Sequence, residues 1–287
     1  MVKTINDLYM KARKALLRQE EPGTASLMAR NLLCHITGKT PEQVISDRQL
    51  YASETWCIEM ERSVQRLLSG EPLAYVLGKW EFFGLPLQVD KRVLIPRDDT
   101  CAVTELSIHY GLNLKTGPRI LDLCTGSGCI GLAIANRIKD ARVTLADISK
   151  DALTVAKSNI TNLKLSARVS CLQVSALEPA KPFLGKFDMI VSNPPYITAR
   201  EMLELDKSVK DHEPHLALFG GEDGLDFYRA ICKNFKNALL PGGLLCFEFG
   251  RGQGNDVCRI LEENGFTVLE RSRDYNNIER AVIARYE

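Results

Sequence analysis

The chain has 287 residues, 45% hydrophobic and 25% charged, with 37 Lys plus Arg against 36 Asp plus Glu and a formal net charge of +1. This is an ordinary globular composition, long enough for a sizeable core, so it excludes a staple-dependent miniprotein and predicts two domains or one large domain with an appendage. The near-neutral balance removes the electrostatic argument for non-specific nucleic-acid binding, and no apolar run approaches bilayer length.

The start, MVKTINDLYMKARK, is polar and helix-periodic, without the apolar core of a signal peptide. Ile5, Leu8, Tyr9, Ala12, Leu16 and Leu17 share one helical face. Pro22-Gly23 breaks that pattern, and Thr24 or Ser26 is expected to cap a second helix. Its stripe is Leu27, Met28, Leu32, Leu33 and Ile36, and it stops at Gly38. Pro41–Ser46 reads as a short third helix. Ser53 is expected to cap a fourth, with Trp56, Met60, Val64, Leu67 and Leu68 inward and Gly70 as its stop. Residues 1–70 thus predict a small helical bundle. Lys11, Arg13, Lys14 and Arg18 on its first helix read as a solvated face or as a contact for an acidic partner. In 71–96, Gly78, Gly84 and Pro86 punctuate aromatic and β-branched residues, which predicts a β-hairpin linker.

From 97 to 287 strands alternate with helices. Arg119–Cys124, Arg142–Asp147, Arg168–Val174, Asp188–Asn193 and Gly243–Phe249 read as short buried strands, with helical patterns at Ile130–Ile138 and Lys150–Leu163. That is the grammar of an α/β, Rossmann-like sheet with mostly parallel strands. Phe266–Arg271 and Arg280–Tyr286 are joined by a short polar turn, which predicts an antiparallel hairpin at the sheet edge. The nine cysteines include no CxxC pair, so free thiols in a reducing cytosol are expected, with neither a disulfide scaffold nor a metal.

Gly126-x-Gly128-x-x-Gly131 follows a strand and opens a helix, a loop that lets backbone approach a ligand at a helix N-terminus. This matches a dinucleotide fingerprint, which alone is a weak signal. Asp147, 25 residues after Asp122, either accepts hydrogen bonds from ribose hydroxyls or caps the helix that follows. Asp122 is expected to discriminate between ligands: an acid just before the glycines disfavours pyrophosphate and suits the sulfonium and ammonium of S-adenosylmethionine.

Asn193-Pro194-Pro195-Tyr196 stands at the predicted tip of the fourth strand. Two prolines stiffen the loop. The Asn193 side-chain oxygen and the Pro194 carbonyl can each accept one N–H of a planar NH₂ group, aiming its nitrogen at a methyl group, while Tyr196 offers a stacking face. The alternative is that Pro-Pro merely ends a strand. His212-Glu213-Pro214-His215 lacks zinc-motif spacing and reads as surface or loop packing. Asp223 is a candidate cap, with Glu222 beside it, and Glu248 is a buried acid without an assigned role.

These motifs resemble those of the protein-(glutamine-N5) methyltransferases that modify peptide chain release factors, the HemK/PrmC family. The resemblance extends along the chain through Gly70–Gly78, Glu81–Leu85, Val93–Arg97, Ile120–Gly128, Val191–Tyr196, Glu213–Leu218, Gly220–Arg229, Pro241–Gly243 and Gly252–Gly254. It implies a class I S-adenosylmethionine-dependent methyltransferase fold, with an N-terminal helical domain that helps grip the substrate. It implies methyl transfer to the glutamine of the Gly-Gly-Gln tripeptide in class I release factors, without a metal, a membrane or an obligate nucleic acid. On this resemblance Cys124, Thr125, Gly126, Ser127 and Gly128 form the cofactor loop, Asp147 takes the ribose, and Asn193, Pro194, Pro195 and Tyr196 hold the amide. Arg97 and Thr100 become cofactor-edge contacts. Three departures stand out: Asp98 and Cys101 where the family has Pro and Glu, Cys124 where Gly is common, and Ser175-Ala176 where an Asp usually meets the adenine amino group. A glutamine methyltransferase of a ribosomal protein, an adenine or guanine amino methyltransferase and a non-catalytic cofactor-binding protein are the rival readings.

Overall fold

The computed structural model describes residues 3–287. It divides into two compact units, one running up to Gly78 together with Lys207–His212, the other comprising Lys79–Asp206 and Glu213–Glu287.

The first unit is helical: α1 (Ile5–Leu16), α2 (Pro22–Thr37), α3 (Pro41–Ser46), α4 (Glu54–Leu68) and α5 (Leu73–Leu77). Ile5, Leu8, Ala12 and Leu16 of α1 pack with Ala29, Leu32 and Leu33 of α2 and with Met60, Val64 and Leu67 of α4. Thr4 caps α1, Thr40 caps α3 and Ser53 caps α4, each accepting a backbone N–H three residues on. Three expectations change. Leu17, the residue that ends α1, is exposed, and so is Leu27, because the buried stripe of α2 starts on Ala25 and Ala29 instead. Thr24 and Ser26 lie inside α2, which starts at Pro22, a residue that has no N–H to leave unsatisfied. Residues 71–96 are not one linker: Leu73–Leu77 forms a helix whose Val76 joins the bundle core. The basic face of α1 is partly engaged, Lys11 with Glu61 at 3.3 Å and Arg13 Nε with Ser26 Oγ at 2.8 Å.

The second unit opens with the hairpin β1 (Lys79–Phe82) and β2 (Leu85–Gln88), whose Phe82, Leu85 and Leu87 enter its core. It continues with α6 (Cys101–Gly111), β3 (Arg119–Leu123), α7 (Cys129–Arg137), β4 (Arg142–Asp147), α8 (Lys150–Asn162), β5 (Val169–Gln173) and β6 (Phe187–Ser192). The remainder is α9 (Ala199–Glu204), α10 (Lys207–Lys210, part of the first unit), α11 (Asp226–Phe235), β7 (Leu239–Glu248), α12 (Gly254–Glu263), β8 (Phe266–Arg273) and β9 (Glu279–Tyr286). The seven-stranded sheet runs β5-β4-β3-β6-β7-β9-β8. Pairing is parallel through β7, and β9 inserts antiparallel between β7 and β8. One cluster of buried side chains covers each face, with Val103, Leu132 and Ile134 in one and Tyr228, Phe235 and Phe247 in the other. The expected edge hairpin is therefore real, with its last strand on the inside.

At the β3–α7 junction Asp122 is wholly buried. Its Oδ2 accepts from Thr125 Oγ1 at 2.5 Å and from the Gly131 N–H at 2.9 Å, tying the glycine loop to both its strand and its helix. Its Oδ1 has no partner. A Cβ at Gly131 would lie 2.9 Å from Asp122 Oδ2 and 2.3 Å from Leu145 Cδ2, so the third glycine is required for close packing.

Burial pushes the Asp122 carboxyl from 3.8 up to about 7, against the pull of its two donors. Between those values the native state holds a proton that the unfolded chain releases, so stability falls as pH rises through that window. Asp122→Asn should flatten this decline, because neutral Asn can accept both bonds without titrating. Denaturant unfolding at about pH 5 and about pH 7.5 checks it, and an unchanged slope refutes it. In the same assay Gly131→Ala should destabilise by about 1–3 kcal/mol through overpacking.

Candidate active site

A cavity of about 190 Å³ lies at the carboxyl ends of β3, β4, β5 and β6. Arg97, Thr100, Cys124, Thr125, Gly126, Ser127, Asp147, Ser175, Ala176, Asn193 and Pro195 all stand in its wall. Gly128, Pro194 and Tyr196 do not. Gly128 is the left-handed N-cap of α7, with φ 87°. Pro194 is buried. The Tyr196 ring packs against the core cluster of Tyr228 and Phe247, and burial raises its hydroxyl's pKa. The expected stacking face is therefore turned largely into the protein.

Sheet register explains why such distant residues meet. Leu123 pairs with Ala146 and with Ser192, and Ser192 pairs with Phe247. The residues that follow these pairs, Asp147 and Glu248 still in their strands and Cys124 and Asn193 just past theirs, lie next to one another at the carboxyl edge. In a parallel sheet, paired positions project to the same face.

The glycine loop takes its shape from left-handed backbone at Cys124 (φ 62°), Gly126 (φ 55°) and Gly128 (φ 87°). A Cβ in that region costs roughly 1–2 kcal/mol, which explains why glycine suits position 124. Asp147 braces the loop from the neighbouring strand: Oδ2 accepts the Gly126 N–H at 2.9 Å and Oδ1 the Ser149 N–H at 2.9 Å. Ser149, not Asp147, caps α8. Burial raises the Asp147 carboxyl, opposed by these backbone donors. Asn159, wholly buried in α8, donates to Ser127 O at 2.9 Å and to Gln88 O at 3.0 Å, and accepts the Gln88 N–H at 2.6 Å. It joins the glycine loop to the hairpin, a link with no motif to announce it.

Asp122 faces away from the cavity wall. Its expected part in choosing between sulfonium and phosphate is thus not a direct contact; its hydrogen bonds shape the loop instead. The two arginines of the wall are already engaged, Arg92 with Asp90 at 2.6 Å and Arg97 with Glu213.

Glu213, expected at the surface or in loop packing, supports the cavity wall from behind. It is buried, and its carboxylate accepts the Ile95 N–H at 3.1 Å while pairing with Arg97. It pins the Val93–Arg97 segment, and with it Val93, Leu94 and Pro96 of the wall. The motif match at Glu213–Leu218 was the available signal. Asp223 is not the helix cap: α11 starts at Asp226, and Asp223 instead accepts the Leu225 N–H and pairs with Arg229.

At the other end of the wall, Asn193 Nδ2 donates to Thr100 Oγ1 at 3.4 Å, a long bond that turns the amide oxygen away from Thr100. Ser127 Oγ is buried in the wall with no partner within hydrogen-bond distance.

Residues 8–78 match the family model described as the PrmC N-terminal domain, and residues 107–211 match the methyltransferase small domain. The chain is 41% identical over 253 residues to a release factor glutamine methyltransferase of Clostridium acetobutylicum, covering 88% of each chain. It is 38% identical over 277 residues to one of Bradyrhizobium diazoefficiens, covering 94% of this chain and 91% of that one. A methyltransferase from Pyrococcus furiosus, 18% identical, shares the fold with a TM-score of 0.52 over 78% of this chain and 98% of that one. Both the helical and the sheet-bearing parts of the sequence are thus matched, and the chain belongs to the release factor glutamine methyltransferase family.

Proposed function

We propose that the protein transfers the methyl group of S-adenosylmethionine to the side-chain nitrogen of the glutamine in the Gly-Gly-Gln tripeptide of class I peptide chain release factors, with the helical unit helping to grip the factor. One observation above all supports the reading: Asp147, an acid suited to ribose hydroxyls, and the Asn193 carboxamide line the same cavity.

The cavity residues fit the cofactor. Asp147 accepts backbone bonds on both oxygens and keeps lone pairs for ribose hydroxyls. The unpartnered Ser127 Oγ suits a polar head group, and Ile148, Ala176, Leu177 and Phe227 provide apolar wall for the base. When bound, S-adenosylmethionine supplies a methyl group on a sulfonium, with a neutral sulfide as leaving group.

This chain's own work is positioning. The amide nitrogen of a glutamine is a poor nucleophile because its lone pair is delocalised. Asn193 Oδ1 and the Pro194 carbonyl each accept one of its hydrogens, so the nitrogen faces the methyl carbon and gains sp³ character in the transition state. Pro194 and Pro195 keep this corner stiff. The methylated nitrogen, briefly cationic, sheds its proton to solvent.

Incubation with labelled cofactor and purified release factor should label the factor. A factor carrying Gln→Ala in the tripeptide should stay unlabelled, and label retained there overturns the acceptor assignment. Asn193→Ala should reduce turnover by roughly a hundredfold or more, as loss of a transition-state hydrogen-bonding group does, with cofactor binding largely kept. Near-normal turnover in that variant refutes the mechanism. Ser175 Oγ now accepts the Leu177 N–H at 3.3 Å. Ser175→Asp offers a charged acceptor to the adenine amino group and should tighten cofactor binding severalfold in calorimetry. No tightening counts against adenine recognition at that position.

A further inference from the structure

Glu248 is 1% exposed at the end of β7, one step beyond the Ser192–Phe247 pair and so beside Asn193. A buried acid in that place calls for an explanation, because an ionised carboxylate away from water must be compensated. Its Oε2 has no hydrogen-bond partner. Thr100, also buried, has a hydroxyl that accepts from Asn193 Nδ2 at 3.4 Å, and the Thr100 and Asn193 side chains are both close enough to the Glu248 carboxylate to favour its charged form, so the Thr100 hydrogen is left for Glu248.

The chemistry of these three groups is directional. An ionised carboxylate only accepts. A threonine hydroxyl has one hydrogen, and once it is given to Glu248 only lone pairs remain for Asn193. Asn193 must then present NH₂ to Thr100 and keep its carbonyl oxygen on the other side. Without this bias the two amide flips differ little in shape, and one of them offers a donor to a substrate that also donates.

We propose that Glu248 is a positioning residue that acts through Thr100 to hold the Asn193 carboxamide in the one flip able to accept an N–H from the substrate amide. This deepens the proposed function and rests on the role given there to Asn193 Oδ1. Protonation of Glu248 reverses the direction of the chain: the acid then donates to Thr100, whose hydrogen turns to Asn193 and draws the carbonyl oxygen inward.

The groups facing Glu248 set where that reversal falls. Burial pushes its carboxyl up to about 7; Thr100, Arg280 and Asn193 pull it down, and Asp99 pushes it up. Arg280 comes from β9 and is shared with Asp99 at 2.7 Å and Asp274 at 3.0 Å. The Tyr196 and Tyr228 hydroxyls and the Cys101 and Cys129 thiols also feel the Glu248 charge, and burial raises all four, so they stay neutral while Glu248 titrates.

The test measures kcat and KM for release-factor methylation against pH in the full-length protein and in Glu248→Gln, Glu248→Ala and Thr100→Val. The wild type should lose kcat as pH falls through the Glu248 titration. Glu248→Gln accepts the Thr100 hydrogen without titrating, so it should keep most of the high-pH kcat and lose that acidic limb. Glu248→Ala and Thr100→Val should lower kcat roughly tenfold, with KM for the factor little changed, the scale expected for a lost hydrogen bond to a charged group. A wild-type acidic limb persisting in Glu248→Gln, or full kcat in Glu248→Ala, overturns the proposal. Asn193→Ala run alongside separates the two ideas. If it is inactive while Glu248→Ala is fully active, only the Glu248 role fails; if Asn193→Ala is itself active, the proposed function fails with it.

Discussion

Parallel register is the constraint on which this site depends. Strands β4, β3, β6 and β7 end within one residue of one another in register, so Asp147, Cys124, Asn193 and Glu248 come side by side at the carboxyl edge although they span 125 residues of sequence. A slip of one residue in any pairing would send one of these side chains to the opposite face. Such register is strongly specified here because the sheet is buried on both faces: every residue of β6 and nearly all of β3 is inaccessible.

Carboxyl groups do much of the shaping around that row, and each does it through a different partner. Asp122 binds a hydroxyl and a helix N–H, Asp147 binds two loop N–H groups, and Glu213 binds one N–H and an arginine. Buried backbone donors in irregular loops need acceptors, and a carboxylate can serve two at once. The cost is desolvation, which raises Asp122, Asp147 and Glu248 together. The loops gain fixed shape, and net stability becomes dependent on pH.

Local patterns are legible where local physics decides them. The strand Arg142–Asp147 and the helix Pro41–Ser46 were legible to the residue, because β-branched runs, a proline at the first helical turn and a capping threonine act over a few neighbours. Residues 73–77 differ from their sequence pattern for the converse reason. Leu73–Leu77 is too short to show helical periodicity, and its helix depends on Val76 reaching the bundle core. The same holds for Leu27, whose hydrophobicity promises burial that the small alanines of α2 take instead.

The sequence by itself determined the class of the fold, the glycine loop, the Asn-Pro-Pro-Tyr corner and the family resemblance, since these reside in contiguous residues whose conformational demands are intrinsic. Only the tertiary structure decided that Asp122 supports the loop from behind, that Tyr196 turns into the core, and that Glu213 and Glu248 stand at the site. Those outcomes depend on which partner a buried group finds in three dimensions, from Thr125, three residues from Asp122, to Ile95, 118 residues from Glu213, and packing rather than local pattern makes the choice.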